Sequence, residues 1–515
     1  MRQAARALSV LLSSAVFMVA TGALAQTQQT ATPDDNRPLS VIDWLGTQDT
    51  PLTPAAHPAV TSDGAIPSVT VEPLGIGRPR QICLVPSTGT GLPEKLWYGS
   101  DPDRLGKAIK ALPDLHLPAA QSLLFTVLLA EAKAPAGNAA AGDALALARV
   151  EKLLDTGALD PALSLIEQAG VSTSPDHFAL YMQISLLAGT EDRACALLSA
   201  TPHLSRDYGT RIFCDARAGN WEDAALTHGA AQALKLMPED KLALMDRFLN
   251  PDVFEDAAPL PEPAQMDPLS FRLCEAVGEP KSTRTLPRPY AAADLRELAG
   301  WKSQLEAAER LTRAGALPDN RLLGLYTDRA PAASGGVWDR VAALQRFETA
   351  LETGSAEAVA KTLPRAWRAM RTAELEVPYA AHFADRHGQL TLPGTRPRLA
   401  RDMLLLSRAY ASAPAPTPDL ASAVASGEAT GRRPNAPVAA AIYDAFKDAK
   451  APERLVVQAR QDRLGETILT TLTMLHEGAL GDPTTQRDAL ATLRDLGLED
   501  TARRAALQLL VLERS

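Results

Sequence analysis

This sequence of 515 residues has few aromatic side chains, no excess of basic charge and few long apolar runs. Each of these shortages argues against a class of structure or of partner. Phe, Trp and Tyr make up only 5% of the chain, whereas strands favour aromatic and β-branched residues. The net charge of −9 argues against nucleic acid or an anionic membrane surface as the main partner, because both attract basic proteins. After residue 25 no apolar run reaches the about 18 residues of a membrane span.

The common catalytic and metal-binding motifs are missing as well. The chain contains no G-x-S-x-G nucleophile elbow, no H-E-x-x-H pair and no C-x-x-C spacing, which are typical of many hydrolases and zinc sites. We therefore predict that the protein is not an enzyme and that it binds no metal and no cofactor.

Alanine and leucine are abundant instead, and both lose little conformational freedom in a helix. From Asp101 onwards apolar residues recur at helical spacing, beginning with Leu105, Ile109 and Leu112. No alternation of strands and helices is present. The sequence predicts an all-α fold, an elongated array of helical hairpins behind a disordered N-terminal tail.

The first 25 residues have the three parts of a cleavable secretory signal. Arg2 and Arg6 give a positive start, residues 8–20 are apolar or small, and Ala-Leu-Ala at 23–25 precedes Gln26. The apolar run is short for a membrane anchor, although an uncleaved anchor is the alternative. We predict export, most simply to the periplasm.

The rest of the chain divides by composition, because Pro-rich and polar stretches separate the helical regions. The predicted divisions are a signal peptide (1–25), a disordered Pro-rich tail (26–95), a helical-hairpin domain (96–255), a second helical-hairpin domain (268–410), a low-complexity linker (411–436) and a C-terminal helical domain (437–515).

Four cysteines fit an oxidising compartment. Cys195 and Cys214 lie on two consecutive predicted helices joined by a short break, so an antiparallel pair would bring their sulfur atoms together. A disulfide closing this loop should contribute about 3 kcal/mol. Cys83 and Cys274 are left over: they either form a second bridge that ties the N-terminal segment to the helices or stay reduced.

A small apolar group interrupts the predicted tail. Ile42, Trp44 and Leu45 lie close together in an otherwise polar segment. They form either a docking peptide for a partner or a segment that packs on the protein's own helices.

Four inter-helix turns follow one pattern, a glycine followed by an acidic residue and an alanine. The turns begin at Gly157, Gly219, Gly354 and Gly497. Glycine accepts the left-handed conformation that ends one helix, and the acidic residue suits the positive start of the next. The turn resembles that of tetratricopeptide and Sel1-type hairpins, but its spacing is not a multiple of about 34 residues. The resemblance implies a degenerate helical-hairpin solenoid.

A second resemblance covers residues 301–350, through Leu322–Thr327 and Pro331–Trp338. This stretch is similar to a family of secreted bacterial helical proteins that carry the label "antifreeze glycopeptide-related". The chain lacks the Ala-Ala-Thr repeats of antifreeze glycopeptides, so the resemblance implies an architecture and no activity.

The loop at residues 331–338 is the best local candidate for a binding patch. It has two adjacent glycines and ends with Trp338 at a predicted helix start, and Arg329 and Arg340 flank it. The two arginines are suited to hold a carboxylate. In the alternative, Trp338 simply fills a groove between hairpins.

These observations predict a periplasmic, non-enzymatic scaffold or adaptor that contacts envelope proteins or peptides, since helical arrays offer surfaces for such partners. The alternative is a peptidoglycan-modifying enzyme of the cell wall whose site is not visible in the sequence. A third hypothesis is a purely structural envelope component.

Overall fold

The computed structural model describes residues 82–136, 139–263, 265–296, 298–387, 392–393, 396–414 and 419–512. These residues form helices and their connections, and the extended backbone pairing found among them is one isolated parallel bridge between Val85 and Ala130. The prediction of an all-α fold is confirmed for this part of the chain.

The helices follow one another closely along the chain. Those before residue 280 are α1 (Ser87–Thr90), α2 (Pro102–Lys110), α3 (Pro118–Leu129), α4 (Ala139–Thr156), α5 (Leu159–Ala169), α6 (Pro175–Ala188), α7 (Glu191–Ala200), α8 (Tyr208–Arg217), α9 (Trp221–Ala233), α10 (Glu239–Leu249) and α11 (Pro268–Ala276).

Those that follow are α12 (Ala291–Asp294), α13 (Trp301–Arg313), α14 (Asp319–Thr327), α15 (Val337–Glu352), α16 (Ala356–Thr372), α17 (Glu376–His387), α18 (Arg396–Leu406), α19 (Leu420–Ser426), α20 (Pro437–Lys447), α21 (Glu453–Arg460), α22 (Leu464–Ala479), α23 (Pro483–Asp495) and α24 (Glu499–Leu512). Short 3₁₀ turns lie between some of them, at Pro202–Leu204, Pro251–Phe254, Thr283–Thr285, Arg288–Tyr290 and Tyr410–Ser412.

The four predicted glycine turns join helices that pack against each other. Gly157, Gly219, Gly354 and Gly497 all have positive φ, between 65° and 87°, which an L-residue with a Cβ adopts only with strain. The helix pairs on either side of them, α4–α5, α8–α9, α15–α16 and α23–α24, are in contact. The local turn chemistry therefore joins consecutive helices that pack on each other.

Buried side chains form two core clusters. The first combines residues 82–293 with residues 405–507, and the second is built mainly from residues 291–406. The C-terminal helices, which the sequence predicts as a domain of their own, therefore share a core with the N-terminal helices.

Contacts between the two ends of the described chain close this first core. Trp97 is fully buried, and its ring lies against the backbone of Gly465 in α22. The Gly465 N–H donates to the Leu96 carbonyl at 2.8 Å. The backbone N–H of Ala119, in the first turn of α3, donates to Oε1 of buried Gln508 in α24 at 3.0 Å.

The end of the predicted disordered tail, residues 82–95, is ordered. Ile82 and Leu92 are buried members of the first core. Their apolar side chains therefore pack on the helices. Arg149 is fully buried and donates to the carbonyls of Ile82, Leu128 and Ala130 at 2.8, 2.6 and 3.2 Å. These bonds hold the segment on the helices, and burial lowers the pKa of the Arg149 guanidinium to about 10.

The predicted linker also contains a helix, α19. Its N-terminus is capped by Asp419, whose side chain accepts from the Ser422 N–H at 2.9 Å, and its Val424 side chain is fully buried. A cap and an apolar face are sufficient to fold this short segment on α24.

The predicted bridge between Cys195 and Cys214 is present in the structure, and the second bridge, left open between Cys83 and Cys274, is not. Cys195 in α7 and Cys214 in α8 form a disulfide, with Cα atoms 4.9 Å apart. Cys83 and Cys274 are free thiols. They have different surroundings: the Cys83 N–H donates to Gln168 Oε1 at 3.1 Å, whereas Cys274 is buried in α11 within the first core.

Candidate functional site

A cavity of about 710 Å³ lies where three helices begin. Pro118 of α3, Asp319 of α14 and Val377 of α17 line it, each in the first turn of its helix. The first turn of a helix leaves backbone N–H groups without intrahelical partners and carries the positive end of the helix dipole. At the start of α3, Pro118 has no N–H and the Ala119 N–H donates to Gln508, so the starts of α14 and α17 are the two that favour an anionic ligand.

The charged side chains of this cavity add to that preference. Six basic residues line it, against three acidic ones, a net charge of +3 in a chain of net charge −9. The basic residues are Lys152, Arg288, Arg310, Arg313, Arg408 and Arg504, and the acidic residues are Asp114, Asp319 and Glu374. We call this set of residues and the space between them the basic cavity.

One arginine of the basic cavity is paired within the chain. The Arg288 guanidinium donates twice to Asp114, at 2.8 and 2.5 Å. These bonds hold the pKa of the Asp114 carboxyl below its ordinary value, against the effect of burial. Lys152 is buried and donates from Nζ to the Leu112 carbonyl at 2.5 Å, and burial lowers its pKa.

Two arginines are held by backbone carbonyls. Arg310 donates to the carbonyls of Thr283 and Leu286 at 2.9 and 2.6 Å, and Arg313 donates to the Ala373 carbonyl at 3.1 Å. Burial lowers the pKa of Arg310, and the neighbouring arginine charges add to this effect. Since carbonyls fix these guanidinium groups without neutralising them, both keep their charge for the cavity.

Arg408 and Arg504 form the remaining basic part of the wall, near the carboxylate of Asp319. The Arg504 Nε is buried without a hydrogen-bond partner among the described residues, and its Nη1 lies 3.8 Å from Asp500 Oδ2. Burial raises the pKa of the Asp319 carboxyl, while the charges of Arg408, His382 and Arg504 oppose that rise. A ligand carboxylate would find two guanidinium groups here.

The binding patch predicted at residues 329–340 is arranged differently. Arg340 donates twice to the buried Glu309, at 2.7 and 2.6 Å, so the carboxylate it holds belongs to this chain. Tyr326 donates to the same carboxylate at 2.5 Å. The pairing of Arg340 with Glu309 joins residues 31 positions apart in the sequence, which the local pattern did not reveal.

Trp338 and Arg329, which the sequence grouped with Arg340, have partners other than Glu309. Trp338 is half-buried and its ring packs on Trp301 at a centroid distance of 5.1 Å, as in the groove-filling alternative. Arg329 is exposed and donates to Asp328 at 2.8 Å. The predicted docking residues of the tail, Ile42, Trp44 and Leu45, lie outside the described residues.

The sequence reasoning missed the basic cavity because its cations come from distant segments. The one local signal was the pair Arg310 and Arg313, which share a face of α13 at a spacing of three residues.

No protein-family model, no curated protein and no solved structure matches this chain. Among the described residues no helix is long and apolar enough to cross a membrane. The same residues contain no group of three or more His, Cys, Asp or Glu side chains placed to hold a metal ion. The geometry of the basic cavity is therefore the basis for the functional proposal.

Proposed function

We propose that this protein is an exported, non-enzymatic scaffold or adaptor of the periplasm that binds an acidic segment of an envelope protein or peptide in the basic cavity. The observation that carries the proposal is the cavity itself, with a net charge of +3 and the starts of α14 and α17 in its wall. Carboxylates are the complementary groups, because they accept from guanidinium and backbone N–H donors alike.

Three further features support this proposal. The signal-like N-terminus supports export, and the Cys195–Cys214 disulfide suits an oxidising compartment. The contacting helix pairs support degenerate tetratricopeptide- or Sel1-like hairpins, which serve other proteins for binding partners, within a fold whose N- and C-terminal helices share one core. Membership among the secreted proteins labelled antifreeze glycopeptide-related belongs to the same proposal.

A site-specific crosslink tests the proposal. A photoreactive amino acid is placed at Asn320, which lines the basic cavity, and the full-length chain is expressed with its own signal. We expect a discrete crosslinked product that is lost in the variant Arg408→Gln/Arg504→Gln. The control variant Arg432→Gln/Arg433→Gln removes the same charge from exposed positions and should keep the product.

Thermal unfolding of both double variants shows whether they are folded. If the crosslinked product is the same in the two double variants, or absent from the unaltered protein, the proposal is wrong.

The alternative, a peptidoglycan-modifying enzyme, is favoured by one observation. Asp294 lines a second cavity, and burial raises the pKa of its carboxyl. The hydrogen bond from Thr283 and the charge of Arg296 oppose this rise, whereas the charges of Glu275 and Glu306 add to it. A raised carboxyl pKa is the direction of shift that a general acid needs. Digestion of purified peptidoglycan by the protein, abolished in Asp294→Asn, would establish this alternative in place of the scaffold.

A further inference from the structure

A row of basic side chains runs along the exposed face of helix α16. Its members follow one another at spacings of four, three and three residues, which place them on successive turns of one side of the helix. All of them are exposed. The members are Lys361, Arg365, Arg368 and Arg371, and we call this set the basic stripe.

Acidic residues do not balance the basic stripe. The sequence has no Asp or Glu between Glu357 and Glu374. In the part of the chain that the structure describes, Lys361, Arg365 and Arg368 form no ion pair. Like charges at spacings of three and four residues destabilise a helix. An anion bound along the stripe would relieve this repulsion.

The stripe begins at the wall of the basic cavity. The Arg371 carbonyl accepts from the Glu374 N–H at 3.1 Å, and Glu374 lines the cavity and is exposed. The carbonyl of Ala373 accepts from Arg313, another lining residue. The last turn of α16 therefore connects the stripe to the cavity.

From this point the stripe leads away from the cavity over the surface of α16. Ten residues separate Arg371 from Lys361, which is about 15 Å of helix at 1.5 Å per residue. Glu374 carries an acidic charge at the junction and opposes a ligand carboxylate at that one position. The four cations of the stripe attract carboxylates along the rest of the path.

We infer that the basic cavity binds one end of a long acidic segment, and that the rest of this segment follows the basic stripe along α16. The inference rests on the proposed function, because the cavity holds the first part of the ligand. An extended peptide advances about 3.3 Å per residue, so about five residues cover the stripe in addition to those inside the cavity. The partner class is therefore a protein with an extended run of acidic residues.

Two fluorescently labelled peptides, tetraglutamate and dodecaglutamate, test this inference by anisotropy titration with the chain from residue 26 to 515. The stripe variant, Lys361→Gln/Arg365→Gln/Arg368→Gln, keeps every residue that lines the basic cavity. We expect it to bind dodecaglutamate about tenfold more weakly than the unaltered protein does, because it loses three exposed ion pairs. Its affinity for tetraglutamate, which fills the cavity alone, should be unchanged.

The matched control is Arg104→Gln/Lys107→Gln/Lys110→Gln, which removes the same charge from exposed positions of helix α2 at similar spacing. It should bind both peptides like the unaltered protein. Circular dichroism and thermal unfolding show that the two triple variants are folded.

The outcomes separate the inference from the proposed function. If tetraglutamate binds and is weakened in Arg408→Gln/Arg504→Gln, but dodecaglutamate binds equally to the stripe and control variants, the proposed function stands and the inference is wrong. If neither peptide binds, both are wrong. A single-stranded oligothymidylate of twelve nucleotides that binds as tightly as dodecaglutamate would overturn the assignment of the stripe to an acidic protein segment.

Discussion

Replacing Gly465 with alanine is expected to destabilise the protein, because no space exists for a methyl group at this position. A Cβ built on Gly465 would lie 2.1 Å from two carbon atoms of the Trp97 ring. Trp97 is fully buried, so its ring has no route into solvent. The hydrogen bond from Gly465 to the Leu96 carbonyl at 2.8 Å keeps the two backbones close together.

The magnitude follows from two opposing effects. Inserting a group into a packed core typically costs about 1–3 kcal/mol, and a contact this short places Gly465→Ala at the upper end. Alanine returns at most about 1 kcal/mol through its higher helix propensity, because Gly465 lies in the first turn of α22 and not in its interior. We therefore expect the free energy of unfolding to fall by about 2 kcal/mol.

Gly229→Ala provides the control, because it makes the same change inside helix α9. A Cβ at Gly229 meets no atom within 4 Å, so the propensity effect acts alone and should stabilise the protein by up to about 1 kcal/mol. Urea denaturation followed by circular dichroism and tryptophan fluorescence measures both variants. If Gly465→Ala is as stable as Gly229→Ala, the packing of the N-terminal segment on α22 is incorrect.

Three further outcomes are expected. The double variant Cys195→Ala/Cys214→Ala should lose about 3 kcal/mol of unfolding free energy in urea denaturation, and an unchanged midpoint would contradict the bridge. Arg149→Met leaves three carbonyls without their donor, which costs about 1–3 kcal/mol for each carbonyl. Limited proteolysis should therefore cut residues 82–95 faster than in the unaltered protein. Equal rates would show that Arg149 does not hold this segment on the helices. Burial lowers the pKa of His476, so the unfolded state binds more protons and stability should fall as the pH drops below about 6.5. His476→Gln should flatten this dependence in denaturation measured from pH 7.5 to pH 5, and an unchanged slope would refute the assignment.

The features that the sequence predicted are local ones. The helices follow from apolar spacing, and the turns at Gly157 and Gly497 follow from the need for a positive φ. The Cys195–Cys214 pair follows from two consecutive helices joined by a short break. In each case the residues that interact are close in the chain, so their spacing carries the information.

The features that the sequence did not predict depend on distant residues. The pairing of Arg340 with Glu309 and the packing of Trp97 against Gly465 have no local pattern. The basic cavity is the extreme case, because Lys152 and Arg504 lie far apart in the sequence. The overall composition did not help either, because a net charge of −9 gives no sign of a basic cavity.

The most direct test of the basic cavity is a calorimetric titration of the chain from residue 26 to 515 with tetraglutamate at low and at high salt. We expect binding that weakens as salt screens the charges. The affinity should be at least about tenfold lower in Arg408→Gln/Arg504→Gln, because this variant loses charge-assisted hydrogen bonds. Arg432→Gln/Arg433→Gln should bind like the unaltered protein. No binding at low salt, or equal affinity in the two double variants, would contradict the account.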